Sequence, residues 1–291
     1  MYSPQEIESL YDTVGQKKVM IPIYKMIVMG ILAGIFIALA AVGANTGASM
    51  VSNPGLAKLI SALIFPAGLA MVVLAGSELF TGDCLIIISK LDKKITWRAM
   101  LKCWVAVYIG NFIGAILVAF LMIQCHQLSL FANDLSLFTI QTAVAKTSLT
   151  PVNALILGVF CNFLVCIAVW MGMAGVTVTE KLAGLYLPIF LFVLSGFEHS
   201  VANMYYIPAG LFAAADSTYA NFAIQHGVSL VNLTWSNFFL RNLFPVTIGN
   251  IIGGGCMVGV VYWFMYQKKR AVTVPAKQKT AAAIAHGKAL K

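Results

Sequence analysis

The sequence predicts an all-α integral membrane protein with six transmembrane helices in two inverted three-helix repeats, the second and fifth helices being broken. Three observations carry this. Of 291 residues, 60% are hydrophobic and only 10% charged, whereas a soluble surface needs about a quarter charged residues. Two apolar stretches, Leu56–Leu91 and Leu182–Ala214, are too long for one crossing. Finally, two short motifs recur in the same order along the chain.

Taken in order, Ser3-Pro4-Gln5-Glu6 is a helix start, with a hydroxyl at the N-cap, Pro at the first helical position and Glu at the third. Ile7, Leu10, Tyr11 and Val14 follow at helical spacing. Residues 1–20 therefore read as a cytoplasmic amphipathic helix, either lying on the membrane face or serving to gate the pore or dock a subunit. The acidic, core-less start is not a cleavable signal peptide. A first span covers about Tyr24–Val42. The Leu56–Leu91 run, as one helix, would measure roughly 50 Å against a hydrocarbon core of about 30 Å. It is interrupted at Gly76-Ser77-Glu78-Leu79-Phe80-Thr81-Gly82-Asp83. Irregular backbone at membrane depth is tolerated only where protein buries it or a water-filled cavity borders it, so the break itself argues for a pathway.

A third span, about Trp97–Ile123, contains Gly110-Asn111-Phe112-Ile113-Gly114, a small-xxx-small face for close helix approach. A mostly polar connection leads to Pro151. The fourth span runs to Met173 with Asn162 at mid-membrane, and the fifth breaks at Gly196–His199, where Glu198 and His199 interrupt apolar sequence. Such groups inside a membrane mark function by default. After a connection from Asp216 to Ser236, the sixth span covers Phe239–Tyr266. Residues 21–266 thus form the channel domain, with repeats at about 24–123 and 151–266. The basic, Ala-rich tail, 267–291, reads as disordered and cytoplasmic.

The repeat rests on two matches. Val73-Leu74-Ala75-Gly76-Ser77-Glu78 answers Val193-Leu194-Ser195-Gly196-Phe197-Glu198, and Ile109-Gly110-Asn111 answers Ile248-Gly249-Asn250. Each half has an odd number of spans, so the halves cross in opposite senses, and in such designs the solute pathway lies at the repeat interface. The net charge of +9 is topological: sixteen of nineteen Lys and Arg lie before the first span, in the Lys90–Lys102 connection, at Lys181 or in the tail. Only Lys58, Lys146 and Arg241 occupy the alternate connections. This is the positive-inside pattern with both termini cytoplasmic, and it leaves no case for nucleic acid. The six cysteines lack metal-ligand spacing. No nucleophile with a base, phosphate loop or metal cluster is evident, so neither an enzyme nor a cofactor is expected.

These motifs resemble the formate/nitrite transporter family, which includes bacterial formate, nitrite and hydrosulfide channels. The resemblance covers Ile21–Tyr266 and is carried by Gly76–Gly82, Gly196–Met204 and Pro245–Gly255. It implies a homopentamer in the bacterial cytoplasmic (inner) membrane, an aquaporin-like outline with one pore per protomer, and passage of small monovalent anions. No Asn-Pro-Ala pair is present, which weighs against a water or glycerol channel. By motif position, Phe65, Leu69, Leu79, Phe80 and Phe192 resemble the family's apolar constrictions, although taken alone they read as core residues. Lys146 resembles its vestibule lysine, which would draw the anion in; taken alone it reads as a solvated loop lysine.

His199, between the constrictions, would assist protonation of the anion, with Thr81 and Asn162 or Asn203 setting its tautomer. Glu78 and Glu198 read as structural acceptors for the free N–H groups of the unwound loops. The variant with Glu78 and Gly82 is closer to nitrite- and hydrosulfide-type members than to formate-type ones. A proton-coupled secondary transporter of the same acids is the alternative; a membrane scaffold and a neutral-solute channel stand further back.

Overall fold

The computed structural model describes residues 1–267; the expected disordered tail lies almost entirely outside them. The described elements are all helical: α1 Pro4–Met20, α2 Ile23–Ala48, α3 Pro54–Ala75, α4 (residues 80–91, a short irregular helix), α5 Trp97–Gln124, α6 Asp134–Thr147, α7 Pro151–Ala174, α8 Val178–Leu194, α9 Ser200–Ala215, α10 Ser217–Gln225 and α11 Trp235–Tyr266. Five of these (α2, α3, α5, α7 and α11) are long and apolar enough to cross a membrane.

Local sequence accounts for the ends. Asn53, Thr96 and Thr150 cap α3, α5 and α7 by accepting from Leu56, Ala99 and Asn153 N–H, and Thr177 with Glu180 forms a capping box at α8. Within α11, Pro245 has no N–H and its ring crowds the carbonyl four residues back, which accounts for the π-helical stretch Phe238–Leu243 just before it.

Both long runs are interrupted. α3 stops at Gly76 and α8 at Leu194, with Gly76 (φ 78°) and Gly196 (φ 72°) in the left-handed region that a side chain disfavours. The two breaks differ in kind. α3 is itself 22 residues long, so its interruption comes after a stretch long enough to cross a membrane, whereas α8 and α9 have 17 and 16 residues and divide their run near its middle.

Close backbone approach assembles the helices. α2 lies against α5 through Gly34 and Gly114, where a methyl group on either would overlap a carbonyl oxygen of the partner helix. α7 lies against α11 in the same way, through Gly249 and Gly253 on the Leu155 and Val159 carbonyls.

Two expectations need correction. The connection before Pro151 is not simply polar: it holds α6, whose Leu135, Ile140 and Ala143 are buried, with Ala143 packed on Gly210 of α9. Its buried face mixes Leu135, Ile140 and Ala143 with Ser136, Thr139 and Thr147, so no clean apolar stripe marked a helix. The apolar stripe of α1 is not left free to face lipid but is packed on protein. Ile7 and Tyr11 are buried, Tyr11 stacks on Trp170 at 5.9 Å, Tyr2 N–H donates to the Ala174 carbonyl, and Ser89 Oγ donates to the Tyr11 carbonyl. The apolar stripe has therefore found protein instead of lipid.

The start of α1 titrates. The Ser3 backbone N–H, then its hydroxyl, hydrogen-bond the Glu6 carboxylate and hold it below its ordinary value. A depressed carboxyl contributes stability that is present above its unfolded pKa and lost as pH falls through the lowered folded value. Hydrogen exchange of α1 amides, corrected for intrinsic rates, should stay flat from pH 7 to about 4.5 and rise only below that. In Glu6→Ala it should be faster at pH 7 and lack the acid transition.

Candidate functional site

Each break leaves backbone groups without helical partners, and one asparagine serves each. Asn111 Oδ1 accepts from Phe80 N–H at 2.9 Å, while its Nδ2 donates to the Gly30 and Glu78 carbonyls at 2.8 and 2.9 Å. Asn250 Oδ1 accepts from Ser200 N–H at 2.9 Å, and its Nδ2 donates to the Gly158 and Glu198 carbonyls at 2.8 and 3.1 Å. Both side chains are fully buried. The Ile-Gly-Asn echo in the sequence is thus the pair of residues that holds the breaks. This corrects the role expected of Glu78 and Glu198, whose carboxylates bond side chains and not loop N–H groups.

Two cavities flank the breaks. One, of about 220 Å³, is lined by Asn45, Lys58, Phe65, Lys146, Phe192 and His199, among others. The other, of about 240 Å³, is lined by Met29, Lys18, Leu69, Glu78, Leu79 and Asp83, among others. Asn45 and Met29 both belong to α2 and lie sixteen residues apart, roughly 24 Å along the helix, so the cavities sit towards opposite ends of the molecule. Phe65 borders the first cavity and Leu69 the second, one helical turn apart on α3. The partition is that thin.

Between the cavities stand apolar rings and a hydrogen-bonded polar pair. The Phe65 and Phe192 rings meet edge to face at 5.7 Å, and Phe192 stacks on the His199 ring at 5.9 Å. His199 Nε2 lies 2.9 Å from Thr81 Oγ1, joining the two broken segments. His199 Nδ1 accepts from Ala202 N–H at 3.0 Å, capping α9. An amide N–H only donates, so Nδ1 is bare; the ring is held neutral with its proton on Nε2, which donates to Thr81.

Thr81 is therefore the partner of His199, and the expectation for Asn162 and Asn203 is corrected. Asn162 Nδ2 donates to the Thr81 and Asn250 carbonyls, and Asn203 Nδ2 to Glu198 and to Asn242 Oδ1. Phe80 borders neither cavity. Its ring packs on Tyr108 and Trp104, at 4.9 and 6.1 Å, beside an apolar groove.

Each cavity has a lysine paired with a carboxylate from a break. Lys146, in the last turn of α6, lies 2.7 Å from Glu198 Oε1 and 5.4 Å from the centre of the Tyr206 ring. Glu198 also accepts from Asn203 and Asn242 at 2.7 and 3.0 Å. In the other cavity Lys18 of α1 reaches both Glu78 and, at 2.6 Å, Asp83. Burial alone pushes the Lys18 ammonium down, but Asp83 and then Glu78 hold it above the ordinary lysine value. Lys18 and Asp83 escaped the sequence reading. Lys18 had been counted as a topology signal, and nothing in its spacing from Glu78 indicated that α1 folds back beneath the break.

The family model for formate/nitrite transporters matches residues 5–264. The chain belongs to that family. It is 40% identical over 252 residues to the formate channel FocA of Escherichia coli K12, covering 84% of this chain and 87% of that one. It is 36% identical over 286 residues to a probable formate transporter of Methanothermobacter thermautotrophicus, covering 92% and 98%. A solved structure described as a pentameric formate channel with formate bound matches with a TM-score of 0.75 at 36% identity, over 84% of this chain and 98% of that one. These family members are named for formate, which gives no support to the nitrite and hydrosulfide lean drawn from Glu78 and Gly82.

Removing Lys18 would leave two buried carboxylates facing each other. Lys18→Met should lower the stability of the detergent-solubilised protein by about 1–3 kcal/mol, since an uncompensated buried charge is costly and Lys18 is partly solvated. Adding Asp83→Asn should restore part of the loss, read as the thermal midpoint of the double variant against the single.

Proposed function

We propose that this protein is a channel for formate and related small monovalent acids, with Lys146 drawing the anion in and the His199–Thr81 pair receiving it between apolar constrictions. The observation that carries this reading is the thin partition of apolar rings between two cavities, with a hydrogen-bonded histidine–threonine pair among them. The similarity to formate channels selects the solute class. Nitrite and hydrosulfide fit the same chemistry.

A bare anion crossing that partition pays a desolvation cost of at least several kcal/mol. Protonating an acid of pKa about 4 at pH 7 costs roughly three pKa units, about 4 kcal/mol. Crossing as the neutral acid is thus competitive. Because His199 is held neutral by Ala202 N–H, it works as a donor through Nε2 and Thr81. The net proton then comes from water in the Lys146 cavity, and the pair supplies hydrogen bonds to the acid as Phe65, Leu69, Leu79 and Phe192 exclude water. Phe80 supports the wall from behind.

In this reading the two sets of equivalent contacts, Asn111 with Glu78 and Asn250 with Glu198, belong to inverted three-span repeats within a six-crossing channel domain, residues 21–266. Residues 1–20 then lie on the cytoplasmic side with the tail. The Lys146 cavity faces outward across the bacterial inner membrane, and the unit assembles as a homopentamer. α1, placed beneath the inner cavity, is the element in a position to gate it.

Formate uptake into proteoliposomes tests the reading. Above the acid's pKa the neutral fraction rises tenfold per pH unit lowered, so wild-type flux at fixed total formate should climb nearly tenfold between pH 7.5 and 6.5. His199→Ala and Thr81→Val should each reduce flux at least tenfold, the cost of about one lost hydrogen bond to the crossing acid. Lys146→Ala should lower it chiefly at low formate concentration. Flux that is undiminished and independent of pH in His199→Ala and Lys146→Ala defeats the mechanism, and flux that requires an imposed proton gradient favours a coupled transporter.

A further inference from the structure

The Lys146 cavity contains a second cation. Lys58 lines it from the first turns of α3 and is exposed, and among the described residues it makes no ion pair or hydrogen bond. Lys146, by contrast, is paired with Glu198, so within that pair the charges cancel at any distance larger than their separation. At long range the uncompensated charge is that of Lys58, and Lys146 draws the anion in only at close range, where its separation from Glu198 is felt. The opposite cavity has the reverse balance, with Lys18 against both Glu78 and Asp83.

A second feature points to a ligand. Asn45, near the end of α2, lines the same cavity and is only 4% exposed, and among the described residues its Nδ2 is a buried donor without a partner. Such groups are rare and costly unless something completes them. The two residues belong to neighbouring faces. Ser61 Oγ donates to the Ala44 carbonyl at 3.4 Å, which places the α3 face bearing Lys58 and Ser61 beside Asn45. Phe65 continues that face one turn further in.

We propose that Lys58 and Asn45 form an anion-holding subsite at the mouth of the Lys146 cavity, taking a small monovalent carboxylate or oxyanion before it reaches Lys146. This rests on the channel reading above. The ammonium supplies charge, and the carboxamide supplies a directed, uncharged N–H donor for one oxygen of the anion. Lys146 then acts as the next and more deeply placed station, where its ion pair with Glu198 opens as the anion arrives.

Uptake kinetics in proteoliposomes separate this from a structural role. In Lys58→Gln the formate concentration giving half-maximal uptake should rise about 5- to 10-fold at low ionic strength, as expected for losing one charge near a protein surface. Saturating uptake should change less than twofold. The difference should shrink in a few hundred millimolar inert salt, through screening, and Lys58→Arg should restore the wild-type curve. Asn45→Ala should show a similar rise that salt does not abolish. A Lys58→Gln curve that superimposes on wild type at low salt, or one reduced equally at all formate concentrations, overturns the subsite.

Binding is read separately by broadening of the ¹³C-formate resonance on adding detergent-solubilised protein. Broadening that falls in Lys58→Gln supports the subsite even if wild-type liposomes carry no formate, in which case only the channel reading fails. Broadening equal in wild type and Lys58→Gln overturns it.

Discussion

The two broken segments of this protein depend on two asparagine side chains that complete hydrogen bonds which an uninterrupted helix would have made for itself. A hydrocarbon environment offers no water to the free N–H and C=O groups of an unwound segment, and each unsatisfied group costs several kcal/mol. Asn111 and Asn250 each bridge a broken segment to a neighbouring helix, taking one N–H and giving two donors back. A carboxamide is suited to this because it offers donor and acceptor without net charge. A carboxylate there would accept but not donate. The glycines on either side of Asn111 follow from the same need, since Gly110 and Gly114 let α5 approach α2 closely enough for Asn111 to span the gap.

The second constraint is charge. A lysine near a membrane-embedded cavity attracts anions but is expensive to desolvate, and the structure offsets both Lys146 and Lys18 with carboxylates from the breaks themselves. Glu198 and Glu78 stand at equivalent places, each with its carbonyl held by the asparagine and its carboxylate held by the lysine. The backbone clamp and the charge clamp therefore meet at the same residue. This coupling orients the glutamate without using a helix to do it. The equivalence is incomplete in one respect: Asp83 adds a second carboxylate on the Lys18 side, where the Lys146 side has the neutral Asn203 and Asn242.

Sequence patterning made part of this visible. The breaks followed from length alone, because an apolar run exceeding one crossing must bend, tilt or stop, and Gly76 and Gly196 showed where. The equivalence of Asn111 and Asn250 was legible as an echo, but its purpose was not, since the partners at Gly30, Glu78, Gly158 and Glu198 are distant in the chain. Long-range pairing also hid the Lys18 contacts and the docking of α1 on Trp170, whose apolar stripe fits lipid and protein equally well by pattern. α6 escaped because its buried face is short and its neighbours polar. Phe80 shows what a motif leaves open: it fixes a residue's place along the chain, whereas the direction of its ring depends on Tyr108 and Trp104, against which it packs.

The tautomer of His199 shows how these levels join. The helix broken at Gly196 restarts at Ser200, and a restarting helix has N–H groups in want of acceptors. His199 stands at that N-cap and satisfies Ala202 N–H with Nδ1. Ser, Thr, Asp or Asn would cap the helix as well, but none of them would present a second, rigidly linked nitrogen on the far side of a ring. Fixing Nδ1 as the acceptor commits Nε2 to the proton and aims it at Thr81 of the other break. The same choice keeps positive charge out of the partition, where a fixed imidazolium would hold an anion too firmly to release it. Helix capping thus sets which nitrogen of His199 carries the proton between the two cavities, and in the channel reading proposed above a neutral donor there favours a solute that crosses without charge.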